Sequence, residues 1–487
     1  MNTEIQNLNP QEVWSNFYKL TQVPRPSNHE EKAREFMLAW AKENGVEAKM
    51  DEVGNILMSA PATPGMEDRK GVILQAHLDM VPQKNEATVH DFVKDPIQAY
   101  VDGEWVRAKG TTLGADNGLG LAAAMAVLTS KTVAHGPVEV LVTATEETGM
   151  DGANGLKAGW VKGDILLNLD SETEGELYVG CAGGLDAVVE FNFSEESVPA
   201  DMKAYRLSLK GLKGGHSGMD INLGRGNSNK LLFRYMKVYG RKLGIRLSSI
   251  EGGSLRNAIP RESFAVVVVP NANTKEFIES LKATEAIYKS ELSFTEPDLE
   301  FFAEETAMPS YVVSVDLQKR LTNSVLGCPN AVERMSNAMP DTVETSNNLA
   351  IIKSGKGKIV INTLMRSFVE TAKEALAQRL HAVFELAGAD KIAFEGGYPG
   401  WNPNPNSEIL KVMKTTYNKL YGKEPEVMGI HAGLECGILG SKYPNWDMIS
   451  FGPTIKSPHS PDERVNIESV NKFWKFMQEV LKNIPKK

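Results

Sequence analysis

Histidine and carboxylate side chains gather at points where a short apolar run gives way to a polar turn. Gln75-Ala-His77-Leu-Asp79 follows the apolar residues 72–74, and Gly114-Ala-Asp116-Asn-Gly118 opens a small-residue stretch. Thr145-Glu146-Glu147-Thr-Gly149 follows residues 138–144, and Asn168-Leu-Asp170-Ser-Glu172 ends the run that starts at Ile165. A further segment, Ser457-Pro-His459-Ser-Pro461, forms a proline-stiffened loop. Imidazole with carboxylate is a donor set for zinc, manganese or cobalt, and the lack of cysteine in it argues against a closed structural zinc site. Two metals sharing one carboxylate can polarise a carbonyl and hold a hydroxide at neutral pH. Such chemistry also needs a carboxylate that binds no metal and moves the proton. Each segment alone has a plainer explanation: a hydrogen-bonded loop pair, an N-cap at Asp116, a solvated turn at Glu146-Glu147, a strand terminator at Asp170. Their arrival in order, beside apolar runs, favours one shared site.

A frame that brings strand ends together would make these residues converge, because ligands of open α/β sheets collect beyond the carboxyl ends of the strands. Residues 55–60, 72–76, 138–144 and 165–169 read as strands, and 118–130 as a helix. Asn9-Pro10 before Val13, Phe17 and Leu20 reads as the start of a helix. Ser27 with Glu30 resembles a capping box for the next helix, which carries Phe36, Met37 and Trp40 and stops at Gly45. Strands alternating with helices predict an α/β domain with a mostly parallel central sheet flanked by helices. After Cys181-Ala-Gly-Gly184 the rhythm changes. Residues 205–212 and 264–269 read as strands, 227–243 and 274–289 as helices. A hairpin pattern around Ser354-Gly-Lys-Gly357, a helix at 369–386 and a strand at 392–394 follow. The expected organisation is a discontinuous α/β domain carrying the candidate metal ligands, residues 1–186 and 396–487, interrupted by an inserted α+β region at 187–395. The prolines at 399, 403 and 405 mark the return, followed by a helix at 407–421, strands at 427–430 and 448–451, and a closing helix from Ile467.

Composition narrows the classes. The chain has 487 residues, 42% hydrophobic and 24% charged, which excludes disorder and collagen-like repeats. Its net charge of −9 argues against broad adhesion to nucleic acid or an anionic membrane. Cys181, Cys328 and Cys436 lie far apart and read as buried free thiols of a reducing compartment. No apolar run approaches the roughly 18 residues that span a bilayer. The opening Met1-Asn-Thr-Glu-Ile-Gln lacks the basic and apolar segments of a signal peptide, so the expected compartment is the cytoplasm.

Those five segments resemble the metal-site motifs of a co-catalytic zinc peptidase family that includes glutamate carboxypeptidase, carnosinase and tripeptidase T. Within it, Gln75-Ala-His-Leu-Asp-Met-Val-Pro-Gln-Lys-Asn85, Lys213-Gly-Gly-His-Ser-Gly218, Leu255-Arg-Asn-Ala-Ile-Pro-Arg261 and Ile430-His-Ala-Gly-Leu-Glu-Cys436 are similar to the bacterial aminoacyl-histidine (Xaa-His) dipeptidases. The likeness runs from about Pro10 to the end. It implies two divalent metal ions, zinc by the family's habit, with cobalt or manganese suiting the same ligands. His77 and Asp170 would hold one, Glu147 and His459 the other, with Asp116 bridging. Glu146 would be the general base for attack by a metal-bound hydroxide, and Asp79 would orient His77. A cis peptide is expected at Asp116–Asn117. The resemblance implies that 187–395 is a lid and substrate-binding domain interrupting the catalytic one. In it His216 would donate to the substrate carbonyl oxygen, while Asn257 and Arg366 would grip the C-terminal carboxylate. His431 and Glu435 read either as substrate contacts or as capping and packing residues.

The resemblance thus implies a dipeptidase acting on short peptides, Xaa-His dipeptides among them, with no nucleic-acid or membrane partner. An N-acyl amino acid deacylase or carboxypeptidase with the same site is the alternative, and a non-catalytic metal scaffold would have lost Glu146 or a ligand. Smaller relatives dimerise through the lid, whereas this large insert could mimic a second lid within one chain, so a homodimer stays open.

Overall fold

The computed structural model describes residues 4–487, so the first three residues of the opening hexapeptide lie outside the described residues. The chain separates into two compact units. One runs to Gly180 and resumes over Trp401–Gly429 and Leu434–Lys487; the other comprises Cys181–Gly400 and Ile430–Gly433.

The first unit is built on an eight-stranded sheet in the order Glu47–Met50, Ile56–Ala60, Val138–Thr143, Val72–His77, Ile165–Asn168, Asp447–Ser450, Glu176–Cys181, Glu426–Ile430. The strands from Val138–Thr143 to Asp447–Ser450 pair in parallel, as the strand–helix alternation predicts. Pairing is antiparallel from Val138–Thr143 outward to Glu47–Met50 and from Asp447–Ser450 to Glu176–Cys181, so the sheet as a whole is mixed. Strand Val72–His77 is buried at every residue, which accounts for its unbroken apolar start. Helix Ala115–Thr129 is buried from Asn117 through Val127, so its run of alanines and leucines packs all round. A separate four-stranded sheet joins Ala99–Asp102, Trp105–Ala108, Arg464–Asn466 and Ile455–Lys456. The loop carrying His459 connects its last two strands, which pair antiparallel.

The second unit holds an antiparallel sheet whose strands share one core with helices Ser228–Tyr239, Thr274–Glu291, Val315–Gly327 and Glu370–Leu386. Two strand groups meet where Glu251 pairs with Lys353 and Gly252 with Ile352. The expected hairpin joins Val343–Gly355 to Lys358–Ser367. Lys356 and Gly357 both take positive φ, +52° and +74°, the conformation a two-residue turn needs to match strand twist.

One local expectation fails. Helix Glu31–Glu43 has Glu30, not Ser27, as its N-cap, without a side-chain capping bond. The Ser27 hydroxyl donates instead to Asp79 Oδ2 at 2.8 Å, and Glu30 Oε1 accepts from Asn28 N–H and the Thr145 hydroxyl. Acceptors and donors supplied by the tertiary fold outcompete the local cap.

Candidate dinuclear metal site

Parallel register brings the sequence-predicted ligands together. His77 pairs with Thr143 and Gln75 with Asn168, so the turns carrying Asp79, Glu146-Glu147 and Asp170 leave the sheet at one end. Asp116 and Asn117 sit at the head of Ala115–Thr129 with non-helical dihedrals, and the peptide between them is cis.

Around Asp116 the geometry is two-sided. Its Oδ1 lies 3.1 Å from His77 Nε2, and its Oδ2 lies 3.1 Å from His459 Nε2. His77 Nε2 is also 3.3 Å from Asp170 Oδ1, and His459 Nε2 is 3.0 Å from Glu147 Oε2. Ligand atoms of His77, Asp116 and Asp170, and separately those of Asp116, Glu147 and His459, lie within 4.8 Å of one another. Glu146 approaches His77 and Glu147 in the same way. Glu147 Oε1 is buried with no hydrogen-bond partner. Nitrogen and oxygen donors in two sets around one shared carboxylate, with a buried lone pair unused, fit two divalent cations.

Asp79 ties this arrangement to the backbone. Its Oδ1 lies 3.4 Å from His77 Nδ1 and accepts the Glu146 N–H at 2.9 Å, while Oδ2 accepts the Glu147 N–H at 3.2 Å. One carboxylate therefore lies against the imidazole, whose Nδ1 is 3.2 Å from the Asp79 backbone carbonyl oxygen, and pins the turn that presents both glutamates. Burial pushes its pKa up, but His77 and these donors win and hold it at about 2.

The electrostatics ask for positive charge. Burial pulls the His77 pKa down, yet Asp170, Asp116 and Asp79 raise it well above the usual value. His459 is raised to about 11 by its contacts with Asp116 and Glu147. Burial pushes Asp170 up to about 6, against the pull of His77. Glu146 is raised well above the carboxylate range by burial, with Asp170, Glu435 and Glu147 acting in the same direction against His77.

Several contributors escape sequence reasoning. Gln75 Nε2 donates to Glu435 Oε2 at 2.6 Å, and the Thr143 hydroxyl donates to the same oxygen at 2.7 Å. Glu435 is fully buried and pushed up to about 7 by that burial. Its bonds place it in the packing beside the strand ends, closer to the packing alternative than to an open substrate contact. A glutamine inside the apolar strand Val72–His77 was the available signal. Glu172, two residues past Asp170, is pushed up to about 8 by burial with Asp116 and Asp170 nearby. Arg25 and Glu463, both buried, had no signal beyond their presence in proline-containing segments.

The lid candidates lie in the second unit. Gly215 and His216 pair with Ile259 and Ala258, and the Ser217 N–H donates to Asn257 O, which sets exposed Asn257 beside the histidine segment. His216 Nδ1 accepts the N–H groups of Gly218 and Met219 at 3.2 and 3.0 Å. Accepting there leaves the ring proton on Nε2. Burial, then the Arg366 charge, lowers the His216 pKa and keeps it neutral. Arg366 is buried; its Nη1 donates to the Tyr398 hydroxyl at 3.0 Å, and it makes no ion pair among the described residues. Ser346, opposite Arg366 across the ladder, lies 2.7 Å from His431 Nε2, and burial drops the His431 pKa to about 3. Cys181, Cys328 and Cys436 are buried and form no disulfide among the described residues. Among the described residues no helix is long and apolar enough to cross a membrane.

Residues 73–483 match Peptidase family M20/M25/M40, and the chain belongs to that family of peptidases. It is 48% identical over 486 residues to the Cytosol non-specific dipeptidase of Escherichia coli (strain K12), with both chains covered completely. It is similar in structure to the Aminoacylhistidine Dipeptidase from Vibrio alginolyticus, with a TM-score of 0.95 and 50% identity, covering 100% of this chain and 99% of that one. Aminopeptidase PepT from Bacillus cereus ATCC 10987 shares the fold at 15% identity, with a TM-score of 0.57 and coverage of 98% and 99%.

Proposed function

We propose that the chain is a cytosolic dinuclear metallodipeptidase that hydrolyses short peptides, Xaa-His dipeptides among them. The observation that carries the dinuclear reading is Asp116, whose two oxygens each face a different imidazole. His77 and Asp170 would hold one cation and His459 and Glu147 the other, with Asp116 shared between the two sets. Zinc, cobalt and manganese all suit these donors, and the bound pair supplies Lewis acidity toward the scissile carbonyl and lowers the pKa of water.

The chain's own residues do the remaining work. Glu146 sits on a turn pinned through its N–H by Asp79, with its carboxylate's proton affinity raised. A carboxylate so tuned takes a proton from the attacking water and returns it to the leaving amine nitrogen. His216, neutral with its proton on Nε2, donates to the carbonyl oxygen as negative charge develops there. Arg366, which makes no ion pair among the described residues, takes the substrate's C-terminal carboxylate together with Asn257. Names of the similar dipeptidases support this substrate class.

Glu146→Gln tests the assignment. Dipeptide turnover should fall by about 10²–10⁴-fold while two metal ions remain bound, because only the proton carrier is lost. Near-normal turnover by the folded, metal-loaded variant would refute the role. A panel of Xaa-His dipeptides, tripeptides and N-acyl amino acids tests the substrate; turnover of acylated amino acids alone would replace the dipeptidase reading with a deacylase.

A further inference from the structure

The bridging carboxylate is only as well placed as the backbone beneath it, and that backbone is held by two buried charges. Glu463 is 2% exposed and accepts a row of backbone N–H groups: Leu113 at 2.7 Å and Gly114 at 3.0 Å on Oε2, Ala115 at 2.8 Å and Asp116 at 3.4 Å on Oε1. On the other side of the same segment, Arg25, also 2% exposed, donates through Nη2 to the Gly114 carbonyl. Its Nη1 donates to the carbonyls of Leu78 and Asp79 at 3.0 and 2.9 Å. Gly114 is gripped through both its N–H and its C=O. Its φ of +71° favours glycine, and a Cβ there would come within 2.7 Å of Arg25 Nη2 and 2.8 Å of Met80 Sδ.

Glu463 also belongs to the loop that carries His459, between the paired strands Ile455–Lys456 and Arg464–Asn466. The carboxylate therefore ties the His459 loop to the Asp116 backbone, and Arg25 ties the Asp116 backbone to the His77–Asp79 turn. We propose that Glu463, with Arg25 as its counterpart, is a positioning residue that sets Asp116 between His77 and His459 and so governs affinity at the His459–Glu147–Asp116 cation position. This inference rests on the dinuclear reading above.

Cobalt(II) titration of the metal-stripped full chain, followed by visible absorption and calorimetry, separates the possibilities. Wild type should take two ions. Glu463→Gln keeps the shape but sets an amide NH2 against backbone N–H donors. It should bind the first ion within about threefold of wild type and the second about 10–100-fold more weakly, the usual range for residues that orient ligands. Dipeptide kcat should fall with KM little changed, and Glu463→Asp should recover part of the second-ion affinity. If Glu463→Gln fails to fold, Glu463→Asp carries the measurement, with a smaller loss confined to the second ion expected. Wild-type affinity for both ions in a folded variant overturns the inference and leaves the dinuclear site standing. A wild-type chain that takes only one ion overturns both.

Discussion

At Asp79 a single side chain does two jobs that sequence spacing reveals only in part. Its position two residues after His77 suggests an orienting partner; in the structure Nδ1 lies 3.4 Å from its carboxylate and 3.2 Å from its backbone carbonyl. Its acceptance of the Glu146 and Glu147 N–H groups could not be read, because those donors lie 67 and 68 residues away. Ser27 teaches the same lesson from the other side: its local pattern fits a capping box, but Asp79 offers a better acceptor. The proposed ligands up to Asp170 are legible because each lies beside an apolar or small-residue run, whereas His459 stands in a proline-stiffened loop. His431 gives a testable consequence at this scale. Its folded pKa of about 3 lies below the usual histidine value of 6.5. Between those values the unfolded chain binds the proton that the folded chain refuses, so stability falls as pH falls through that window. The slope from this one group is at most about 1.4 kcal/mol per pH unit. Urea denaturation from pH 7 to 4 should show the wild type losing its stability relative to His431→Gln as the pH drops. A constant difference between the two would contradict it.

Elements set how far such reading reaches. The parallel strands were visible because burial on both faces makes them continuous apolar runs. Strand Val343–Gly355 was legible only at its hairpin tip. Its Glu344-Thr-Ser-Asn-Asn348 stretch is buried but polar, and several of its groups are matched by distant partners, while Asn347 Oδ1 and Asn348 Oδ1 have none among the described residues. Asn347 Nδ2 donates to Pro329 O at 2.7 Å, Asn348 Nδ2 to Ala258 O at 2.8 Å, and Ser346 meets His431. No propensity or alternation encodes partners of that kind. Helix Ala115–Thr129 illustrates the opposite case, where a small residue carries the information. A Cβ on Gly120 would sit 2.1 Å from Asn117 Oδ1 and 2.6 Å from the Leu169 carbonyl. Asn117 Nδ2 in turn donates to Asp170 Oδ1. Gly120→Ala should therefore cost about 1–3 kcal/mol in chemical denaturation and weaken metal binding as well. A variant with unchanged metal affinity would show that the helix shifts without moving Asp170.

Across the whole molecule, the two units carry separate cores, and every proposed metal ligand belongs to the first. Ligand binding stabilises only the folded unit that binds, by about 2.7 kcal/mol per site at a concentration 100-fold above Kd. Scanning calorimetry of the full chain with and without a chelator should show one transition that moves and one that does not. A single transition displaced as a whole would mean that the units unfold together.

The order of the ligands along the chain has a consequence for birth rather than for catalysis. Of the proposed ligands, His77, Asp116, Glu147 and Asp170 leave the ribosome first, and His459 follows about 290 residues later. At about 5–20 residues per second, the nascent chain spends roughly 15–60 s with an acidic cluster that lacks its second histidine. During that interval the whole segment Cys181–Gly400 is synthesised. With the proposed ligands, a hydrolase made in this order would complete its cation set, and with it the power to cut, only after the whole segment Cys181–Gly400 has been made.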